Sequence, residues 1–209
     1  MPPEPTVFVI DDHQRLRQSV RALLESADLL VEDFASALDF LAAAKPRAND
    51  CIIADVRMPG MTGLELQEEL NRRACPSALI IVTGYADVPM ATKALKAGAR
   101  DLIEKPYDDE VLLAAVRRAV EDGRRTQELV EAAQAAEDLI GLLTEREQEV
   151  FQQLASGQSN KLVAHALGIS PRTVEVHRAR IQDKLKVSGL ADLVRIARAV
   201  EAGRAALHT

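Results

Sequence analysis

The chain has 209 residues, of which 47% are hydrophobic and 28% are charged, and its formal net charge at pH 7 is −6. This composition supports a packed core and excludes disorder throughout the chain. No apolar run approaches the roughly 20 residues of a membrane-spanning helix. The N-terminus lacks the basic and apolar segments of a secretory signal, and two cysteines do not make a disulfide framework. We therefore expect a protein of the reducing cytoplasm that has no membrane partner.

Residues 6–107 alternate short apolar strands with helical patterns, which is typical of a parallel sheet between helices. Five strands and five helices predict an α/β, flavodoxin-like (βα)5 domain with a five-stranded parallel sheet, and we assign residues 1–121 to it. Such sheets bind ligands at the carboxyl ends of their strands. The predicted strands are residues 6–10, 31–34, 51–55, 79–83 and 101–104, and the predicted helices are residues 14–27, 36–44, 63–73 and 88–97, with a fifth beginning near Asp108.

Residues 122–141 predict a helical linker after this domain. They contain no proline, and their apolar residues recur at helical intervals. Gly123 is the only residue before Gly141 that is expected to weaken the helix.

The C-terminal part predicts an all-α, four-helix domain over residues 142–209. It begins with a capping box, in which Thr144 and Glu147 satisfy the first N–H groups of a helix. Gly168 makes a turn, and Ser170-Pro171 supplies the cap and first residue of the next helix, as in a helix-turn-helix. The net charge of this part is +3, against −6 for residues 1–121, which is a weak indication of nucleic acid. The four helices are predicted from Thr144 to about residue 157 and over residues 160–167, 171–185 and 190–200.

Polar side chains stand at the ends of the predicted strands. Asp11 and Asp12 follow the first strand, Asp55 and Thr83 end the third and fourth, and Lys105 follows the fifth. Because the carboxyl ends of parallel strands meet at one edge of the sheet, we expect these side chains to form one site.

This set of side chains predicts a site for Mg²⁺ and a phosphoryl group. Asp55 is the expected nucleophile, since a carboxylate can form an acyl phosphate. The incoming phosphoryl group is anionic, so the carboxylates need a cation, and Mg²⁺ prefers hard oxygen ligands. Asp11 or Asp12, Asp55 and the main-chain carbonyl of Arg57 are the expected ligands. Lys105 would neutralise phosphate oxygens and Thr83 would donate a hydrogen bond to one of them.

The sequence motifs around these residues resemble two known families. Residues 6–107 resemble the receiver domain of bacterial two-component response regulators, and residues 142–198 resemble the LuxR-type DNA-binding domain. Their combination is similar to the NarL/FixJ class, closest to its FixJ branch. The motifs that carry the resemblance are Val9-Ile10-Asp11-Asp12, Asp55 to Gly63, Thr83-Gly84-Tyr85, Asp87-Val88-Pro89-Met90, Lys96-Ala97-Gly98-Ala99, Lys105-Pro106, Leu143 to Glu147, Ser159-Asn160-Lys161, Gly168 to Arg178 and Lys184-Leu185.

The resemblance implies a phosphorylation switch. Asp55 would accept phosphate from a sensor histidine kinase, and Asp11 and Asp12 would hold Mg²⁺, for which Mn²⁺ is expected to substitute. Thr83 and Lys105 would sense the phosphoryl group, and the bond from Lys105 to Pro106 is expected to be cis. Many receivers place an aromatic residue three positions before the lysine; this chain has Leu102 there, so the coupling from Thr83 is expected to differ.

The resemblance also implies a homodimer on phosphorylation and binding to double-stranded promoter DNA, with RNA polymerase as a possible further partner. The dimer would form through the predicted helix 88–97, whereas Leu95 on the same helix is expected to pack on the sheet. The candidates for the dimer face are Met90, Ala91, Ala94 and Lys96.

The third C-terminal helix is expected to enter the major groove of DNA. Glu175 would accept a hydrogen bond from cytosine N4 and Val176 would contact a thymine methyl group. His177 is expected to be a core or backbone-bonded residue. The face presented to DNA would be Arg172, Glu175, Val176 and Ala179, opposite an inward stripe of Val174, His177, Ile181 and Leu185. The expected phosphate contacts, which set affinity more than sequence preference, are Asn160, Lys161, Thr173, Arg178, Arg180 and Lys184, with surface acids as alternative partners of the last two.

Two other interpretations fit the sequence less well. A phosphatase or phosphotransferase of the haloacid dehalogenase type also uses Asp, Thr, Lys and Mg²⁺, but it needs an acid two residues after the nucleophile, where this chain has Arg57. A DNA-binding protein with a vestigial receiver would not require the complete set of site residues, although Leu102 leaves this interpretation open. We therefore expect a phosphorylation-gated transcription regulator and not an enzyme. Activation of transcription is favoured over repression.

Overall fold

Five short apolar runs form a single parallel sheet in the computed structural model of the chain, which describes residues 4–84 and 88–206. The strand order is β2-β1-β3-β4-β5, and every neighbouring pair is parallel. The order reverses beside β1, so the carboxyl ends of β1 and β3 border a crevice of the kind that binds ligands. The strands are β1 (Thr6–Ile10), β2 (Leu30–Phe34), β3 (Cys51–Asp55), β4 (Ala78–Thr83) and β5 (Asp101–Glu104).

Helices cover both faces of this sheet, as predicted, and their ends lie within two residues of the predicted positions. All five residues of β3 are buried, because a central parallel strand has neighbours on both sides and both faces. Thr62 and Glu65 form a reciprocal capping box at the start of the third helix. The helices are α1 (Gln14–Ser26), α2 (Ala37–Ala43), α3 (Gly63–Arg72), α4 (Val88–Lys96) and α5 (Asp109–Gly141).

The side chains of β1 alternate between two hydrophobic clusters, one on each face of the sheet. Phe8 and Ile10 point into a cluster with residues of α2, α3 and α4, whereas Val7 and Val9 point into a cluster with residues of α1 and α5. This alternation follows from the two-residue period of a strand. Three of the four phenylalanines of the chain belong to the first cluster; Phe8, Phe34 and Phe40 pack with ring centroids 5.4 to 6.3 Å apart.

The chain divides into two compact units, Met1–Gln127 and Glu128–Thr209, and α5 contributes residues to both. Gly123 does not interrupt this helix. A Cβ atom at that position would overlap the main-chain carbonyl oxygen of Ala48, so the glycine allows close packing of α5 against this segment. Further along, Ala133 and Ala136 are buried within the second unit. Residues 122–141 are therefore helical as predicted, and their second half packs as part of the C-terminal unit.

Up to residue 206, where the described part of the second unit ends, four further helices lie at the predicted places. Gly168 ends α7 with φ of 65° and ψ of 34°, and the Ser170 hydroxyl caps α8 by accepting a bond from the Thr173 N–H. The last helix extends beyond the predicted end near residue 200, because Gly203 lies inside it against Ala133, where a larger residue would overlap. The helices are α6 (Glu145–Ala155), α7 (Asn160–Leu167), α8 (Pro171–Leu185) and α9 (Leu190–Ala206).

In the part of the chain that the structure describes, none of the helices has both the length and the apolar character needed to cross a membrane.

Candidate phosphoryl-acceptor site and DNA-binding face

Asp55 is the last residue of β3, and its carboxylate is held by two donors. The main-chain N–H of Arg57 donates to Oδ2 at 2.7 Å, and the Lys105 ammonium donates to Oδ1 at 2.6 Å. The side chain is 11% exposed, so it is largely shielded and yet reachable from the crevice. A carboxylate with this fixed orientation is well suited to act as a nucleophile.

Lys105 joins Asp55 to the acidic pair at the end of β1. Its ammonium also donates to Asp11 Oδ2 at 2.9 Å, while the N–H of His13 donates to Asp11 Oδ1 at 2.8 Å. Burial lowers the pKa of Lys105, but the hydrogen bonds to Asp55 and Asp11 outweigh burial and raise the pKa above its usual range. The lysine therefore remains a cation and partly balances the two carboxylates.

Asp12 completes the acidic group with a carboxylate that is 28% exposed and lies 2.9 Å from His13 Nδ1. Ligand atoms of Asp11, Asp12 and His13 all lie within 4.8 Å of one another. One ammonium faces three carboxylates here, so the site has excess negative charge and hard oxygen donors. This chemistry fits Mg²⁺.

Thr83 lies next to these groups at the end of β4. It is buried, and its main-chain carbonyl accepts a 2.7 Å hydrogen bond from the Lys105 N–H. The structure therefore brings together the side chains of Asp11, Asp12, Asp55 and Lys105, and it places Thr83 at the adjoining strand end. Tyr85 and Asp87, which belong to the quoted motifs, lie outside the described residues.

The C-terminal unit presents an exposed face on α8. Val176 is 45% exposed, while Val174, Ile181 and Leu185 are buried in the core, which confirms the predicted orientation of these residues. His177 is half-buried, and its Nδ1 has no hydrogen-bond partner within the parts of the chain described. The exposed residues of the predicted recognition face are Arg172, Glu175, Val176 and Ala179.

The predicted phosphate-contacting residues differ in availability. Lys161 and Arg180 are exposed, and Asn160 and Arg178 are half-buried. The Lys184 ammonium instead donates to Glu147 Oε2 at 2.6 Å. The structure thus favours the alternative in which Lys184 pairs with an acid of the protein. The Thr173 hydroxyl lies 2.8 Å from that of Ser170, at the start of α8.

Each unit matches a known family. Residues 7–117 match the response regulator receiver domain, and residues 141–197 match the bacterial regulatory proteins of the luxR family. The transcriptional regulatory protein FixJ of Azorhizobium caulinodans is 46% identical over 201 residues, which cover 94% of this chain and 93% of that protein. The chain belongs to the FixJ branch of the response regulators.

Further relatives and solved structures agree with this assignment. FixJ of Rhizobium meliloti is 41% identical over 192 residues, which cover 92% of the regulator and 94% of that protein. The structure of the response regulator StyR is 39% identical, with a TM-score of 0.80 over 94% of the regulator and 99% of that chain. The structure of full-length FixJ from B. japonicum is 37% identical and gives a TM-score of 0.59. The match covers 94% of the regulator and 97% of that chain. The predicted family, fold and phosphorylation-controlled regulation of transcription are confirmed.

Two predictions about α4 are wrong. Ala94 cannot contribute to a dimer face, because it lies on the inner side of α4 and its side chain is fully buried. Its carbonyl oxygen accepts a 2.8 Å hydrogen bond from the Gln67 amide. Leu95 does not pack on the sheet; it is 49% exposed. The helix is rotated by about one residue from the predicted orientation. Met90 and Ala91 are half-buried and Lys96 is exposed, so they still border the open surface.

The fifth strand and the segment after it carry the features predicted around Lys105. The Lys105–Pro106 peptide bond is cis, as predicted. Leu102 is half-buried and, like Met90, packs against the cluster formed with α3 and α4. The nearby aromatic residue is Tyr107, which packs on the opposite cluster, and burial raises the pKa of its hydroxyl.

The sequence interpretation missed Arg17 and Asp33. Arg17 donates a 2.7 Å hydrogen bond from Nη1 to the main-chain carbonyl of Asp11 and pairs with Asp33 at 3.2 Å. An arginine six residues after Asp11 was the only available signal. Its partners became apparent only when β2 was placed beside β1.

Replacing Gly63 with alanine is expected to destabilise the receiver unit by about 1–3 kcal/mol, as overpacking usually does. A Cβ atom on Gly63 would overlap the carbonyl oxygen of Asp55 and lie 3.1 Å from its carbonyl carbon. Only a backbone shift relieves this clash, and that shift would displace the phosphoryl acceptor. Urea unfolding followed by tyrosine fluorescence measures the effect, since both tyrosines, Tyr85 and Tyr107, lie in this unit.

The matched control is Gly84→Ala, where the added methyl group meets no heavy atom of the described residues within 4 Å. It should leave the unfolding free energy within about 0.5 kcal/mol of the wild-type value. Equal stability of the Gly63→Ala variant and the wild type would contradict the close approach of α3 to Asp55.

Proposed function

We propose that Asp55 accepts a phosphoryl group from a sensor histidine kinase and thereby controls DNA binding by the regulator. The observation that carries this proposal is the pair of buried carboxylates, Asp11 and Asp55, bridged by one ammonium at 2.9 and 2.6 Å. Two buried carboxylates that share one cation are costly for the fold. This cost is explained if the site binds a metal ion and a phosphoryl group.

Each side chain has a defined part in the transfer. An oxygen of Asp55 attacks the phosphorus of the phosphohistidine on the kinase, and the P–N bond breaks as the O–P bond of the acyl phosphate forms, so that the kinase histidine is the leaving group. The N–H of Arg57 keeps the carboxylate oriented. Asp12 and Asp55, with the main-chain carbonyl of Arg57, would hold Mg²⁺, for which Mn²⁺ substitutes, and Asp11 supports this set. The bound cation supplies positive charge to the phosphoryl oxygens. The Lys105 ammonium moves a hydrogen bond from a carboxylate to a phosphoryl oxygen. The Thr83 hydroxyl donates a hydrogen bond to another phosphoryl oxygen.

The output of the regulator is proposed to be a homodimer that binds promoter DNA through α8 and activates transcription. The dimer face would be the exposed part of α4. It comprises Leu95, Lys96 and the exposed edges of Met90 and Ala91. RNA polymerase is the proposed further partner. Because bacterial promoter DNA lies in the cytoplasm, the regulator acts there. The chain holds Arg57 where a phosphatase of the dehalogenase type needs an acid, so the regulator is proposed to be a phosphoryl acceptor and not an enzyme.

Phosphoryl acceptance is tested with acetyl phosphate and Mg²⁺, followed by electrophoresis in a gel that retards phosphoproteins. The wild type should give a retarded band that is lost on treatment with alkali or with hydroxylamine, because both cleave acyl phosphates. Asp55→Ala should give none. The control Asp183→Ala removes a carboxylate that is 83% exposed in the other unit and should be phosphorylated like the wild type. A retarded band of equal intensity in Asp55→Ala would overturn the assignment of Asp55.

DNA binding offers a separate prediction, in which two variants of the C-terminal unit should behave differently. Lys161→Ala should weaken binding to all sequences alike and reduce the slope of log K against log salt by about 1, since a phosphate contact is lost. Glu175→Ala should leave that slope unchanged and relax discrimination at one base pair, since a base contact is lost. Fluorescence anisotropy at several salt concentrations, with matched and mutated operators, measures both. Identical behaviour of the two variants would contradict the proposed division of roles.

A further inference from the structure

The main chain of Asp11 is held from both sides at the point where β1 ends. On one side, its N–H donates to the carbonyl oxygen of Phe34 on β2 at 3.2 Å. On the other side, its carbonyl oxygen accepts a hydrogen bond from Arg17 Nη1 at 2.7 Å. This carbonyl belongs to the peptide unit that joins Asp11 to Asp12. Its orientation therefore fixes the directions in which both carboxylates leave the backbone.

Arg17 is itself anchored by Asp33. Its Nε donates to Asp33 Oδ2 at 3.2 Å, and the arginine side chain is only 12% exposed. Asp33 lies in β2 opposite Val9 of β1, so the anchor stands on the strand adjacent to the site. Arg17 also lines a small pocket together with Asp11, Asp55 and Lys105. A guanidinium presents several donors in a fixed plane, so it can bind a carboxylate and a carbonyl together.

Asp33 is kept in its charged form by two arginines. Burial raises the pKa of Asp33, but hydrogen bonds from Arg21 and Arg17 outweigh burial, and the net pKa lies below the usual range. The carboxylate is therefore ionised throughout the physiological pH range. Its bond to Arg17 at 3.2 Å joins two ionised groups, and such a charge-assisted bond is stronger than a neutral one.

We propose that Arg17 and Asp33 are positioning residues that set the affinity of the Asp11–Asp12 pair for Mg²⁺. Neither residue touches the ion or the phosphoryl group; they act by fixing the peptide that carries both acidic side chains. Loss of outer partners of this kind typically lowers metal affinity about 10- to 100-fold. The inference rests on the proposed function, because it assumes that the acidic pair binds the ion.

Arg21 provides a matched control on the same helix. It donates to Asp33 Oδ1 at 2.8 Å and to Glu25 at 2.7 Å, and it is 45% exposed. Among the hydrogen bonds of the residues described, none joins Arg21 to Asp11. Replacing Arg21 thus removes an arginine from Asp33 and leaves the hydrogen bond to the Asp11 carbonyl in place.

The test is isothermal titration of the full-length protein with Mg²⁺, for the wild type, Arg17→Met and Arg21→Met, with urea unfolding measured in parallel. Arg17→Met should weaken Mg²⁺ binding about 10-fold or more, and Arg21→Met should change it by less than about 2-fold. Arg17→Lys should restore little of the Mg²⁺ affinity. The two hydrogen bonds of Arg17 come from two separate nitrogens of a planar guanidinium, and a lysine has a single nitrogen. Asp33→Asn leaves α1 unaltered and should also weaken Mg²⁺ binding. This variant replaces Arg17→Met in the test if Arg17→Met does not fold.

The outcomes separate this inference from the proposed function. A purely structural role would lower the stability of both arginine variants and leave their Mg²⁺ affinities equal to that of the wild type, which would overturn the inference alone. An unchanged affinity in Asp33→Asn would do the same. Absence of Mg²⁺ binding in the wild type would instead overturn the metal part of the proposed function, and this inference with it.

Discussion

Replacing Lys105 with methionine is expected to lower the free energy of unfolding of the receiver unit by about 2–3 kcal/mol when no divalent cation is present. The substitution keeps the apolar stem and removes the ammonium that bridges Asp11 and Asp55, whose side chains are 8% and 11% exposed. Removing one partner of a buried ion pair leaves charge uncompensated and costs roughly 3–5 kcal/mol. Lys105 itself is 20% exposed, so solvent screens part of the charge and the expected value lies at or just below the lower end of that range.

Millimolar Mg²⁺ should restore much of this loss in Lys105→Met and should stabilise it more than it stabilises the wild type. In the variant the cation no longer competes with an ammonium for the carboxylates, and ligand binding to the folded state adds to stability. Urea unfolding followed by tyrosine fluorescence, with EDTA or with Mg²⁺, measures both effects. Lys93→Met is the control, since that ammonium is 65% exposed and lies 3.4 Å from Glu68. A Lys105→Met variant as stable as the wild type in EDTA would contradict the charge balance assigned to the site.

The C-terminal unit is expected to lose stability in acid through Glu147. This buried carboxylate accepts hydrogen bonds from the Lys184 ammonium at 2.6 Å and from the Thr144 N–H at 2.9 Å. These bonds, led by that of Lys184, lower the pKa of Glu147 to about 2 from a usual 4.5. A group whose folded pKa is depressed stabilises the fold above its unfolded pKa. Its contribution should therefore be complete above about pH 5 and decline as the pH falls from about 4.5 toward 2.

Glu147→Gln is expected to cost about 1–2 kcal/mol at pH 7, since it replaces charge-assisted hydrogen bonds by neutral ones. It should also flatten the decline of stability between pH 5 and pH 3. Thermal unfolding followed by circular dichroism, with tyrosine fluorescence to separate the receiver transition, measures this dependence. Glu149→Gln on the same helix is the control, because that side chain is 51% exposed. A Glu147→Gln variant with the acid profile of the wild type would show that Glu147 does not carry the effect.

This result also bears on DNA binding by the regulator. Lys184 can reach a phosphate only if it gives up Glu147, a partner at the start of α6. A variant at Lys184 would then change both stability and affinity, whereas Lys161→Ala should change affinity alone. Stability measurements are thus required before any Lys184 variant is interpreted as a DNA contact.

Local sequence patterns predicted the features that depend on neighbouring residues. Asp55 and Thr83 were found because each ends a short apolar strand, and strand ends meet at one edge of a parallel sheet. The capping box of Thr144 and Glu147 has a spacing of three residues that is specific to helix starts. These signals need no knowledge of the tertiary structure.

The features that were missed depend on contacts between distant segments. Ala94 and Leu95 are both apolar and differ by about 100° around the helix, so the pattern alone did not decide which of them is buried. The bond from Gln67 to the Ala94 carbonyl fixes the helix rotation, and it joins residues 27 apart in sequence. The pairing of Arg17 with Asp33 likewise depends on β2 lying beside β1.

The most direct test of the central claim is DNA binding and dimerisation of the regulator with and without beryllofluoride plus Mg²⁺, in the wild type and in Asp55→Ala. Fluorescence anisotropy on promoter DNA and analytical ultracentrifugation supply the two readings. If Asp55 gates the C-terminal unit, the phosphoryl mimic should tighten DNA binding and dimerisation in the wild type and change neither in Asp55→Ala. Equal DNA binding by both proteins, with and without the mimic, would contradict control of the regulator by phosphorylation at Asp55.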